Sequence, residues 1–350
     1  MKKQLFLIAV AALAMASCSK DETTGINNGN AIDFRVAMGT RASETTTANI
    51  EKFNVTALTA ASASFFTDVE FTKDGSFFTS DPSYYWPADG SQLSFYAYSP
   101  AVADLKATVT IDNTTKKLTD YSPAAVIADQ KDFITAQATG SKSDEATGVA
   151  LTFGHRLSQI EIKAKNTNDA YVYKVKGIRI ANAVSKGSFD FTSNDWTLAT
   201  DKADYEVTYD DVKTLGTDVA SMMATENDNA MLLPQQLTAW DSANDKTNTE
   251  AGAYLALLVN ICTKDGAQVF PATTGEYKWT AVAIDTEWFA GKKYIYTLDF
   301  SNGAGKVDPE EPNPDPQPNP QPGDDILGSP IKFTVTVEAW SNADASDIAM

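Results

Sequence analysis

The apolar residues of this chain recur at every second position in short runs, and no long segment keeps the spacing of a helix. A period of two puts one face of a strand on a core and the other in solvent, which confines the chain to all-β architectures. The clearest run lies near the amino end, where Ile32, Phe34, Val36 and Met38 alternate with Asp33, Arg35 and Ala37. Gly39 and Thr40 end it at a turn, and Arg41 and Ala42 follow before the polar stretch from Ser43 to Asn49. Arg41 is thus an accessible base one step beyond a core strand. It is either a solvated loop charge or a point at which a protease frees the strand.

The far end of the chain repeats the pattern. Ile331, Phe333, Val335 and Val337 form one face of a second strand, with Lys332, Thr334 and Thr336 on the other. It is preceded by DPEEPNPDPQPNPQPGDD, in which proline occupies every second position from Pro312 to Pro322. Such a segment is expected to stay outside any core in an extended polyproline conformation, so that residues 307 to 330 would span up to ~75 Å at ~3.1 Å per residue. On that expectation the last strand reaches well outside its own domain. Alternatively it folds back as an edge strand of the domain it follows.

Between these ends, aromatic and β-branched runs predict strands at 53–57, 65–71, 93–98, 107–111 and 133–136, separated by turn signals such as Lys73-Asp74-Gly75 and Pro87-Ala88-Asp89-Gly90. A polar break, TGSKSDEATG at 139–148, suggests a domain boundary. Beyond it, strands are expected on either side of Gly154-His155-Arg156 and at 172–180, 187–191, 205–209, 231–233, 254–261, 277–279 and 294–300. The expected organisation is a leader at 1–18, a tether at 19–30, β-sandwich domains at 31–145 and 146–306, a proline-rich linker at 307–330 and a terminal strand segment at 331–350.

The first 18 residues carry Lys2 and Lys3, an apolar run from Leu5 to Ala16, and then Ser17-Cys18. The run is too short to span a bilayer, which takes about 20 residues, and its flanks fit an export signal. Met15-Ala16-Ser17-Cys18 looks like the lipobox of a bacterial lipoprotein, in which Cys18 receives acyl chains such as palmitate and becomes the new amino terminus. Ser19-Lys20-Asp21-Glu22 resembles the acidic signals that send such proteins to the outer face of the outer membrane. With Cys18 acylated, Cys262 has no partner for a disulfide. Its apolar surroundings make it a buried small hydrophobe.

A formal net charge of -18 argues against nucleic acid or anionic lipid surfaces as partners. Catalysis finds little footing, because His155 is the only histidine and sits in a tight strand turn. One histidine and two cysteines do not make an ordinary zinc site. No phosphate-binding glycine loop is present, so neither cofactor nor metal is expected. Tyr84, Tyr85, Trp86, Trp240 and Trp288 are candidates for a sugar-stacking surface, although aromatics at strand ends more often belong to the core.

Taken together, the lipobox, IDF...V...TRA at 32–42, Tyr85-Trp86-Pro87 with LSFYAYSP at 93–100, LTFGHRLSQIEI at 151–162, LLPQQ at 232–236, AGKKYIYTLDF at 290–300 and the terminal β segment ending in Trp340 resemble the fimbrillins, the subunits of type V pili, and their Mfa-like branch. That resemblance implies two β-sandwich domains of transthyretin-like topology behind a lipidated tether. It also implies cleavage after Arg41, loss of the strand Ile32–Met38, and donation of Ile331, Phe333, Val335 and Val337 from another subunit. The expected partners are other fimbrial subunits, the outer membrane through Cys18, and a host protein or glycan receptor. The alternative is an uncleaved surface lipoprotein that serves as pilus anchor, tip or glycan-binding adhesin. Neither version is an enzyme.

Overall fold

The computed structural model describes residues 31–38, 50–224, 228–316, 319–328 and 330–340. Its first nine strands are β1 (Phe34–Met38), β2 (Lys52–Thr59), β3 (Ser64–Asp74), β4 (Phe77–Thr79), β5 (Leu93–Ser99), β6 (Thr108–Ile111), β7 (Lys116–Tyr121), β8 (Ile134–Gly140) and β9 (Val149–His155). Seven of them close into a barrel in the order β1-β4-β3-β2-β5-β8-β9. A sheet that closes on itself has no free edges. Closure here depends on β1, which lies parallel to β9 from Phe34↔Val149 to Met38↔Phe153 and antiparallel to β4 at Phe34↔Phe78. The expected first sandwich is therefore a barrel, lined by Phe34, Phe53, Phe71, Phe95, Leu151 and Phe153.

The remaining strands are β10 (Ser158–Lys165), β11 (Tyr171–Val184), β12 (Gly187–Asp190), β13 (Asp195–Leu198), β14 (Lys202–Thr214), β15 (Ala220–Ser221), β16 (Ala230–Leu232), β17 (Gln235–Gln236), β18 (Tyr254–Thr263), β19 (Gln268–Phe270), β20 (Lys278–Ala283), β21 (Glu287–Trp288), β22 (Lys292–Asp299), β23 (Lys306–Val307) and β24 (Lys332–Ala339). One sheet runs β15-β10-β22-β24 and the other β14-β11-β18-β20-β23. Between them Ile160, Ile162, Tyr296 and Leu298 pack with Val175, Ile178, Leu255 and Leu257, a two-layer sandwich core.

Two expectations about organisation need correction. The polar break at 139–148 lies inside the barrel, between β8 and β9, so the chain leaves the first unit only after His155. A polar, glycine-bearing stretch marks a tight connection as readily as a linker. Nor are the two halves cleanly separate in sequence, because hairpin β6–β7 joins hairpin β12–β13 in a four-stranded sheet. A shared core of Tyr98, Leu118, Phe133, Phe189, Phe191 and Leu233 fills the junction.

The proline-rich segment is also not free. Its prolines are mostly exposed, but the acids between them reach cations on the sandwich. Asp308 pairs with Arg179 at 3.0 Å, Asp315 with Lys278 at 2.6 Å, Asp324 with Lys246 at 2.6 Å and Asp325 with Lys306 at 2.8 Å. Ile326 is buried in the sandwich core. Polyproline stiffness keeps a segment extended but does not stop side chains from fastening it to a surface.

Candidate functional site

The region with the most to say about function comprises the two terminal strands and what each rests on. At β1, the alternation read from sequence holds through its first residues: Ile32 and Phe34 are fully buried, Val36 is half-buried and Ala37 is exposed. Of Met38 the backbone pairing alone is described. Phe34 sits at the centre of an aromatic cage, 4.7 Å from Phe71, 5.1 Å from Phe95 and 6.1 Å from Phe53 between ring centres, all edge-to-face. The strand is fastened at its start by Ile32 N–H donating to Tyr84 O at 2.7 Å and by Val149 N–H donating to Asp33 O at 2.9 Å.

Space for this entry comes from Gly148, at φ +68°. A Cβ there would lie 3.3 Å from Asp33 O and 3.0 Å from the Phe77 ring. Asp33 itself is buried, and burial, with Asp74 nearby, raises its carboxyl above the usual range. Cys18, Arg41 and Ala42 lie outside the described residues.

The terminal strand rests on the sandwich. β24 is antiparallel to β22 from Lys292↔Ala339 to Asp299↔Lys332 and occupies the end of its sheet. The row Ile331, Phe333, Val335, Val337 faces the core side, but its cover thins along the strand. Ile331 is buried, Phe333 and Val335 are half-buried, and Val337 is 53% exposed. In this structure the strand therefore docks at the edge of its own domain.

Beyond it the chain ends its described part in a plug. Trp340 is 1% exposed, its backbone N–H donates to Gly291 O at 3.0 Å, and its ring stacks on His155 at 4.5 Å. His155 Nδ1 is 2.7 Å from Asp132 Oδ2. Both residues belong to the rim of the barrel, where Ile134 pairs with His155. So the sole histidine is the wall on which the last strand is anchored. That role had no signal in the sequence, since nothing local ties residue 155 to residue 340.

The strap before β24 carries the other group that the sequence did not reveal. Asp308 is fully buried, accepts from Arg179 and Tyr254, and has its carboxyl pushed up to about 6 by desolvation against the pull of Arg179. Arg179 also bonds Glu206 and stacks on Trp279 at 4.5 Å. Lys278 and Asp315 form a second buried pair. Buried pairs of this kind fix a chain segment in one place more than they stabilise the fold.

Among the described residues no group of three His, Cys, Asp or Glu side chains is placed to hold a metal ion. Cys262 is buried and its Sγ donates to Asn260 Oδ1 at 3.2 Å. The aromatic set proposed for sugar stacking is mostly core: Trp86, Trp240 and Trp288 are buried, Tyr84 is half-buried, and Tyr85 alone is exposed, at 60%.

Residues 40–340 match the fimbrillin-like protein family. The chain is 24% identical to fimbrium subunit Fim1C of Phocaeicola vulgatus, over 89% of this chain and 96% of that one. The fold is similar to the crystal structure of a fimbrial protein from Bacteroides vulgatus, with a TM-score of 0.60 at 15% identity, covering 89% of this chain and all of the other. It is also similar to a protein from Bacteroides uniformis proposed to act in cell adhesion, with a TM-score of 0.50 at 19% identity, covering 91% and 99%.

Proposed function

We propose, from the premise that this chain belongs to the fimbrillin-like family, that it is a cell-surface fimbrial subunit assembled by strand exchange. It is exported as a lipoprotein through Cys18 and cut after Arg41. It then loses the strand that bears Ile32, Phe34, Val36 and Met38, and receives Ile331, Phe333, Val335 and Val337 of a neighbouring copy in its place. The relationship to a fimbrium subunit of Phocaeicola vulgatus supports the first part. The transthyretin-like topology, the outer-membrane location and a host receptor belong to the same proposal.

The observation that carries the reading is the place of β1 as the closing strand of the barrel. Burying Ile32 and Phe34 is worth roughly 3 to 6 kcal/mol gross at about 1.5 to 3 kcal/mol each, against a typical domain stability of about 5 to 15 kcal/mol. Without β1, the edges of β9 and β4 lie open beside an apolar slot walled by Phe53, Phe71 and Phe95, a surface that invites an added strand. The donor row is poorly covered at home and would gain a neighbour on each side in the slot. Cleavage at Arg41 is selective on this account, because the other three arginines, Arg35, Arg156 and Arg179, are half-buried within the fold.

Amino-terminal sequencing of surface filaments tests it. Ala42 as the first residue is expected, and Arg41→Ala should leave lipidated monomer. Filaments that form normally from Arg41→Ala would remove the cleavage step. A second reading, an uncleaved lipoprotein acting as pilus anchor, tip or glycan-binding adhesin, draws on the docking of β24 and Trp340 against their own molecule. It predicts a blocked terminus at Cys18.

A further inference from the structure

We infer that the niche now filled by Trp340 is an anchor site for a second copy of this chain: on assembly it receives the neighbour's Trp340. This inference rests on the strand-exchange reading and deepens it. Aligning Ile331 with Ile32 aligns Val337 with Met38, Ala339 with position 40 and Trp340 with position 41. β1 is parallel to β9 and its last pair is Met38↔Phe153. Continuing that ladder along β9 sets an incoming strand's Ala339 opposite His155 and its Trp340 opposite the next residue, Arg156. A donor strand that takes the place of β1 therefore delivers its tryptophan to the barrel rim where His155 lies.

That rim already holds a tryptophan. The indole of the chain's own Trp340 stacks on His155 at 4.5 Å and 24°, within the junction core that includes Phe133, Leu157 and Leu233. Trp340 lies just past the end of β24, so the alternation of the strand does not dictate where its side chain points. One niche thus lies at the end of two routes: the chain's own strand along β22, and an incoming strand along β9.

The two occupants exclude one another, and assembly resolves the conflict. A subunit that sends its own β24 to the next copy withdraws its Trp340 and leaves the niche for the preceding copy's. Before that, the intramolecular tryptophan blocks the rim as well as holding β24 at home. Buried aromatic anchors of this sort dominate interface energetics, and truncating one commonly costs at least about 30-fold in affinity.

The test uses full-length chain cut after Arg41, with and without Trp340→Ala in the acceptor, and two synthetic peptides, IKFTVTVEAW (residues 331–340) and the same peptide with Trp340→Ala. On the Trp340→Ala acceptor the tryptophan peptide should bind roughly 30-fold more tightly than its alanine partner. On the acceptor that keeps its own tryptophan the two should differ far less. His155→Ala in the Trp340→Ala acceptor should erase the difference while both peptides still bind. If that variant fails to fold, Trp340→Phe in the peptide serves instead, with intermediate affinity expected. Equal binding of both peptides to the Trp340→Ala acceptor would overturn the anchor site and leave strand exchange standing. Binding of neither peptide to any acceptor would overturn strand exchange and the anchor site with it.

Discussion

The two terminal strands have nearly the same alternation and opposite circumstances. β1 has a neighbour on each side and carries Phe34 in the centre of an aromatic cage. β24 has β22 on one side within its sheet, and its apolar row loses cover until Val337 stands 53% exposed. The difference shows that period-two patterning fixes which face of a strand is apolar but not how deeply that face is buried. A strand rich in Ile, Phe and Val that sits at an edge is under-used by its own domain, and a slot that needs such a strand is where it gains most.

The largest expected effect comes from preventing the weaker strand from leaving. Thr297 and Thr334 are opposed in the β22–β24 ladder, with Thr334 exposed. Thr297→Cys with Thr334→Cys should form an intramolecular disulfide that abolishes polymerisation of cut protein, and reduction should restore it, as read by light scattering. Next, Phe34→Ala should destabilise the uncut protein by about 3 to 5 kcal/mol in denaturant unfolding, as for other large core residues. The matching Phe333→Ala should cost well under half of that, because its ring is only half-buried. Equal costs would erase the contrast between the strands.

A smaller effect concerns the strap that leads to β24. The Asp308 carboxyl titrates near 6 in the fold, above the usual carboxylate value of about 3.9. The folded state therefore takes up its proton first. The stability linked to this group is fully present below about pH 4 and is lost as pH rises through about 6, on the order of 3 kcal/mol in all. Asp308→Asn should flatten the Tm against pH profile between pH 4 and 7, and an unchanged profile would remove Asp308 as the group responsible. Smallest of all, Val337→Ser should change monomer stability by less than about 0.5 kcal/mol, as at other exposed positions, yet slow filament growth.

Much of this was legible in the chain. Long alternating strands such as β5, β10, β11 and β22 announce themselves because one face is apolar over many residues, and β18 does so as a continuous apolar run. β4, β19 and β23 do not, since two or three residues carry no period and they form only because a partner edge is there. The Ile32 and Phe34 face was visible, whereas barrel closure was not, because the parallel pairing of β1 with β9 joins segments more than a hundred residues apart. The proline run shows its stiffness in sequence but not its anchoring, because the decisive groups are acids whose partners, Arg179 and Lys278, are remote in sequence. The Trp340 niche is silent in the sequence for the same reason, since residues 155 and 340 meet only in the fold.

The central claim is that one copy's β24 occupies another copy's β1 position, and a single cross-link tests it. In the slot the neighbour's Thr336 takes the place of Ala37, directly opposite Thr152 of β9, on the exposed face. At home Thr336 faces Ile295 instead. Cut protein carrying Thr152→Cys and Thr336→Cys, assembled and then oxidised, should run as a ladder of covalent oligomers on a non-reducing gel. Filaments that yield monomer alone under the same oxidation would contradict the account.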